Sequence, residues 1–229
     1  MKRILTAVAI LVSTVAFAQT KQQRLVSGFS GISVATGIEA EVTQGNDDAV
    51  SITASDDKYL ANVKTEVVNG VLKIYYENPN KKWGNDKGRK IQAFVTYKSI
   101  NKLLGSSGAS IKTTNSISGS TLLLDMSSGA QFKGDLKTTD LTINQSSGAI
   151  SKVSGSATSV NADVSSGSIF TGSDLSSDNC KASASSGAVL KLGVSTKLTA
   201  RASSGGVINY KGNPDVDKSV SSGGVVSKI

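Results

Sequence analysis

The 229-residue chain has no histidine, one cysteine and two prolines. Without histidine there is no Ser-His or Cys-His catalytic pair and no imidazole ligand for a metal. A single cysteine, Cys180, excludes an internal disulfide and a thiolate cluster. Aromatic residues are scarce, at 5%, so the core must be built from many thin layers of Val, Ile, Leu and Ala rather than around bulky rings. Any chemistry is restricted to carboxylates, Lys, Arg, Tyr or an oxygen-bound cation such as calcium, and no cofactor is expected.

What is present begins with an export pattern. Met1-Lys2-Arg3 is a short positive start, Ile4 to Val15 is apolar but short for a membrane span, and Ala16-Phe17-Ala18 puts small residues where a signal peptidase reads them. Residues 1–18 are therefore predicted to be a signal peptide, cut before Gln19. No cysteine follows the cut to carry a lipid, and no later apolar run is long enough to cross a bilayer. The expected locations are the periplasm, the outer-membrane surface or the extracellular space. Losing Lys2 and Arg3 lowers the net charge from +8 to about +6, an excess that suits anionic envelope polymers or lipid headgroups; nucleic acid is not an expected partner of an exported chain.

The most informative feature is a repeat. Ser-Ser-Gly occurs seven times, with its glycine at Gly108, Gly129, Gly148, Gly167, Gly187, Gly205 and Gly223, at intervals of 18 to 21 residues. A flexible linker would not keep that period or fix apolar residues at constant offsets. Five residues before the first serine stand Leu122, Leu141, Val160, Cys180, Leu198 and Val216; three before stand Leu124, Ile143, Ala162, Ala182, Ala200 and Lys218. The positions two before are polar, Asp125, Asn144, Asp163, Ser183, Arg201 and Ser219, which is the period-2 signature of a strand with one buried face. A second short strand is expected after each triplet, as in Gln131-Phe132 and Val189-Leu190. Gly134, Gly155, Gly172, Gly193 and Gly212 mark further turns. One such unit cannot bury its own apolar face, but stacked units form continuous columns. The predicted fold is all-β, a right-handed parallel β-helix or β-solenoid of about seven rungs spaced ~4.8 Å apart. The triplet glycines are expected to take positive φ at the corners, with the serines hydrogen-bonding along the stack or to turn backbone.

Residues 19–98 read as a separate β-rich region that caps the repeats of 99–229. Its strands are expected at 31–34, 38–43, 50–54, 63–68, 71–76 and 91–97, with a tight hairpin at Asn69-Gly70 and almost no helix. The other end, Gly224 to Ile229, has no comparable cap. It is either a frayed terminus or an edge through which copies associate.

The segments Phe29-Ser30-Gly31-Ile32-Ser33-Val34, Gly37 to Gly45 and Val68-Asn69-Gly70-Val71-Leu72-Lys73-Ile74, followed by Ser-Ser-Gly-Ala at 106–109, 127–130 and 146–149, resemble the bacterial "putative autotransporter adhesin, head GIN domain" family. The resemblance implies an exported, mostly parallel β-helical protein of the cell envelope with an adhesin role, and it carries over no catalytic residue. A translocating barrel would need many membrane strands of ~10 residues, for which the sequence leaves no room.

Candidate sites follow from the register. Lys112, Lys133, Lys152 and Lys191 each lie four residues after a triplet glycine, with Thr171 in the remaining interior copy. They are candidates for a basic ladder against an anionic glycan or cell-surface polymer, although an outward column needs soluble side chains in any case. Trp83 sits in the basic segment 78–90 and can either stack on a sugar or lipid surface or fold back on the sheet. Asp125 and Asp163, with Asn144 between them, would lie ~10 Å apart, near the carboxylate spacing of inverting glycosidases. Cys180 falls in an apolar column and reads as a small core hydrophobe. The function these features predict is a non-enzymatic, adhesin-like binding or structural module. The alternative is a carbohydrate-active β-helix enzyme acting on an acidic polysaccharide, which should break its repeat with long loops at a cleft; loop lengths here vary by about three residues. An ice or crystal binder would need a flat threonine-rich face, and the outward columns are mixed.

Overall fold

The computed structural model describes residues 21–77 and 88–229. The predicted signal peptide and Trp83 lie outside the described residues. The first strands are β1 (Lys21–Arg24), β2 (Gly31–Val34), β3 (Glu39–Gln44) and β4 (Ala49–Ala54). One helical turn, α1 (Asp57–Leu60), is capped by the Asp56 carboxylate accepting from the Lys58 N–H, and buries Tyr59 and Leu60. Then come β5 (Val63–Val68), β6 (Val71–Tyr76), β7 (Ile91–Tyr97), β8 (Lys102–Gly105) and β9 (Ser110–Thr113). The repeats supply β10 (Ile117–Met126), β11 (Gln131–Gln145), β12 (Ile150–Val164), β13 (Ile169–Ala184), β14 (Val189–Ala202), β15 (Val207–Lys211), β16 (Asp215–Val220) and β17 (Val225–Lys228).

All the repeat strands pair in parallel and nearly in register. Leu122 faces Leu141, Leu141 faces Val160, Val160 faces Cys180, Cys180 faces Leu198, and Leu198 faces Val216. The chain is an all-β solenoid whose apolar columns run its length. The column of Leu72, Ile32, Leu103, Leu124, Ile143, Ala162, Ala182 and Ala200 is buried throughout and ends at Lys218, which is exposed. Where it narrows to alanine, the column on the far side of the turn carries Phe170, Leu190 and Ile208. Side-chain volume is thus redistributed between columns, as close packing requires.

The parallel stack also extends past the repeats. β2 lies between β6 and β8, and β3 between β7 and β9, all parallel, so residues 31–44 form a rung ahead of the triplets. β6 and β7 form the outermost parallel rung although they come later in the chain. Antiparallel β5 on β6, β4 on β7 and β1 on β4 then close that end. The Asn69-Gly70 hairpin joining β5 to β6 has positive φ at both residues, the type I′ geometry this pair favours.

Each corner is a tight turn in which the second serine and the glycine both take positive φ, 47 to 54° and 67 to 74° respectively. The N–H of the next residue closes it onto the first serine carbonyl, as from Ala149 to Ser146 at 3.2 Å. The glycine requirement is conformational, since a Cβ at Gly108, Gly129 or Gly148 would meet nothing within 4 Å. The expected serine hydroxyl network is corrected: among the described residues no triplet hydroxyl makes a hydrogen bond. The backbone links the corners instead, the glycine N–H of every corner but the last donating to the left-handed serine carbonyl of the next rung at 2.9 to 3.1 Å. Thr36-Gly37 repeats the geometry one rung earlier, with Gly37 N donating to Ser107 O at 3.0 Å.

The strands after the corners are longer than their sequence pattern indicates. β11 to β14 run 14 to 16 residues each because their ladders continue around a second corner. Only some of the further glycines turn the chain. Gly155 and Gly212 have φ of +109° and +104°, whereas a Cβ on Gly134 or Gly172 would collide with the ring of Phe132 or Phe170, two residues earlier. The buried Gln145 is held by its amide donating to Ala149 O and Ile169 O, at 2.8 and 2.7 Å.

Candidate functional site

Two outward columns follow each Ser-Ser-Gly corner, because a strand alternates its side chains between the core and solvent. In the farther column Lys133 faces Lys112 and Lys152, Lys152 faces Thr171, and Thr171 faces Lys191. Asn209 and Ser227 complete it, with the Ser227 hydroxyl donating to Asn209 Oδ1 at 2.8 Å. Glu41 precedes Lys112 in the same file. From Lys112 onward the column holds no acidic residue. Lys112, Lys133 and Lys152 are exposed on three consecutive rungs, and Lys191 is half-buried. Like charges this close repel, and a polyanion lying along them would relieve that repulsion.

A groove of about 410 Å³ runs beside the three consecutive lysines. Its far wall includes Asn115, Asp135 and Ser154. The wall is fixed in place, with the Ser154 hydroxyl donating to Asp135 Oδ2 at 3.0 Å and the Asp135 N–H donating to Thr113 Oγ1 at 3.2 Å. Asn115 is tied to the end of β3 by a reciprocal pair of bonds with the Gln44 backbone. The groove therefore offers amide, hydroxyl and ammonium groups on a rigid base.

On the strands before the corner, Asp125, Asn144 and Asp163 stand in file, two rungs separating the carboxylates. Partial burial raises the Asp125 carboxyl above its ordinary value, while Asn144 and Asp163 are exposed. Ser183, Arg201 and Ser219 continue the file. None of these side chains lines the groove beside the lysines or the one lined by Asp140, Asn161, Cys180 and Lys197. Cys180 is buried, and desolvation pushes its thiol up to about 12, so it is a core residue with an inert thiol. Among the described residues no group of three or more Cys, Asp or Glu is arranged to hold a metal, and no helix is long and apolar enough to cross a membrane.

The nearer outward column was not legible as a surface feature. It reads Gln92, Glu39, Ser110 and Gln131 in the first rungs and then Ile150, Ile169, Val189, Val207 and Val225. Ile150, Ile169 and Val225 are 48%, 40% and 46% exposed. The signal was the residue two after each triplet glycine, but pairs such as Val189-Leu190 read together as one buried strand when only the second residue points inward.

Solved structures share this architecture. A "putative adhesin" from Bacteroides fragilis superposes with a TM-score of 0.80 at 19% identity, over 93% of this chain and 98% of its own. A "putative adhesin" from Parabacteroides merdae and a "putative lipid binding protein" from Parabacteroides distasonis both give 0.67 at 18% identity, over 92% of this chain and 95% and 96% of theirs. At these identities the likeness establishes the fold. No curated protein matches the chain. The family model described as "Putative auto-transporter adhesin, head GIN domain" matches residues 28–214, and the chain belongs to that family.

Proposed function

We propose that this chain is an exported, non-enzymatic adhesin-like rod of the cell envelope that binds an anionic glycan or cell-surface polymer through Lys112, Lys133, Lys152 and Lys191. The observation that carries the reading is the register: three of these lysines stand on consecutive rungs ~4.8 Å apart and Lys191 two rungs on, so a polymer lying along the rod meets a repeating row of charge. The family description and the adhesin names of the structural neighbours support the adhesin role. A binding rather than catalytic reading is supported by the near-constant loop length and by the position of Asp125 and Asp163 outside the groove beside the lysines.

The test is a glycan and cell-wall polymer array probed with the wild type and with a variant carrying Lys→Ser at 112, 133, 152 and 191. The wild type is expected to retain acidic polymers, more weakly as salt rises, and the variant to lose them at least about tenfold. Equal binding by both proteins, or none by either, overturns the proposal.

A further inference from the structure

The aliphatic column Ile150, Ile169, Val189, Val207 and Val225 spans five consecutive rungs, a stripe ~19 Å long and one side chain wide on the outside of the rod. Strand formation does not demand it, because the same column carries Gln92, Glu39, Ser110 and Gln131 in the earlier rungs. Nor does the C-terminal half of the rod become apolar generally. On those rungs the outward files before the corner read Asn144, Asp163, Ser183, Arg201, Ser219 and Thr142, Asn161, Lys181, Thr199, Asp217. Of these outward files only one is aliphatic; Val220 and Ile229 are exposed as well, at the last rung.

The flanks of the stripe differ. On one side lie the Ser-Ser-Gly corners, whose serines and glycines are small and uncharged. On the other lie Lys152, Thr171, Lys191, Asn209 and Ser227, a stretch of their file without acidic residues. Lysine stems can lie along such a boundary while the ammonium groups reach outward to anions. The backbone beneath is fully engaged in the parallel ladders, so a partner strand cannot add to this face. A second copy of the chain fits poorly: a stable protein interface covers ~800 Å² on each partner, far more than one file of side chains supplies. An aliphatic edge with cations beside it matches the boundary between acyl chains and anionic headgroups.

We propose that this stripe is a membrane-contact edge, by which the rod lies lengthwise on a bilayer surface containing anionic phospholipid. Ile150, Ile169, Val189, Val207 and Val225 enter the headgroup boundary, and Lys152 and Lys191 meet the phosphates. The proposal goes beyond the polymer-binding reading: it shares Lys152 and Lys191 with it, but its aliphatic file is a different one and does not depend on that reading.

The experiment is vesicle co-sedimentation of the mature chain on phosphatidylcholine alone and on phosphatidylcholine with phosphatidylglycerol. The wild type is compared with Ile150→Ser/Ile169→Ser and with Lys152→Ser/Lys191→Ser. Each protein is also tested against a soluble acidic polysaccharide and sized by light scattering. The wild type should bind the anionic vesicles, and both variants should bind them at least roughly tenfold less. The isoleucine variant should keep its thermal transition and whatever polysaccharide binding the wild type shows, because both side chains already face solvent. Failure of the wild type to bind anionic vesicles overturns the proposal, as does undiminished binding by the isoleucine variant. A wild-type dimer that the isoleucine substitutions dissociate also overturns it, assigning the stripe to a contact between copies. Undiminished vesicle binding by the lysine variant, with or without loss of polysaccharide binding, also overturns it, and an absence of polysaccharide binding in every protein would remove only the polymer-binding reading.

Discussion

The two ends of the rod obey the same register but are finished in different ways. At the N-terminal end the rungs carry Leu72, Ile32 and Leu103 in one buried column, and β1, β4 and β5 close over them with antiparallel pairing. At the other end the same column has thinned to Ala162, Ala182 and Ala200 and stops at the exposed Lys218, with Val220 and Val225 about half exposed. A charge pointing along the core column is a device that discourages further strands from stacking. Stability should be concentrated in the closed end, while the open half has freer choice of outward side chains and places its aliphatic stripe there.

The largest predicted effect uses one corner at two heights. Gly155 and Gly212 each lie seven residues after a triplet glycine, both have positive φ, and a Cβ on either would sit 2.0 Å from a carbonyl oxygen, of Leu136 and Val194 respectively. Gly155→Ala, in the middle of the stack, should cost ~4 kcal/mol or more in urea denaturation, or prevent folding. Gly212→Ala should instead release only the last rung, seen as faster amide exchange over 213–229 with the main transition moved by less than ~1 kcal/mol. Equal global losses would break the contrast between the ends.

Next in size is a pair of core truncations. Leu103→Ala should cost ~2 to 5 kcal/mol because rungs on both sides hold the cavity open, whereas Val216→Ala, partly buried on the last rung, should cost under ~1 kcal/mol.

The high-pH limb gives a third test, near the middle of the open half. Burial raises the Cys180 thiol from 9.0 to about 12, and it also raises Tyr97, in β7 at the closed end. The unfolded chain therefore gives up these protons at lower pH than the folded one. It binds fewer protons through that window, so stability falls as pH rises from about 9 toward 12. Cys180→Ala should flatten part of that decline and leave the remainder, due to Tyr97; an unchanged profile would contradict the burial of the thiol. The smallest effect is expected at the tip. Lys218→Leu should stabilise the last rung by no more than ~1 kcal/mol while raising the share of self-associated protein in light scattering.

The sequence exposed the register clearly because a fixed period with alternating polarity admits one stacking. Leu122 above Leu141 and Lys133 above Lys152 could be written down before any coordinates. Other features were less visible for identifiable reasons. The left-handed second serine was hidden because Ser-Gly is not the Asn-Gly pair that announces such a turn. The rung order at the closed end was hidden because β6 and β7 follow β2 and β3 in the chain but stack outside them, which no local pattern reports. The Ile150 to Val225 stripe was hidden because adjacent apolar residues look buried together unless each is assigned its own face.

The direct test of parallel, in-register stacking is a disulfide between adjacent rungs. In a Cys180→Ala background, Lys133→Cys/Lys152→Cys places two cysteines opposite one another at ~4.8 Å between Cα atoms, inside the range a disulfide spans. That pair should oxidise quantitatively with the fold intact. Lys133→Cys/Ile150→Cys, one alternation out of register and beyond ~7 Å, should not. Failure of the first pair, or equally ready oxidation of both, would contradict the stacking on which every column described here depends.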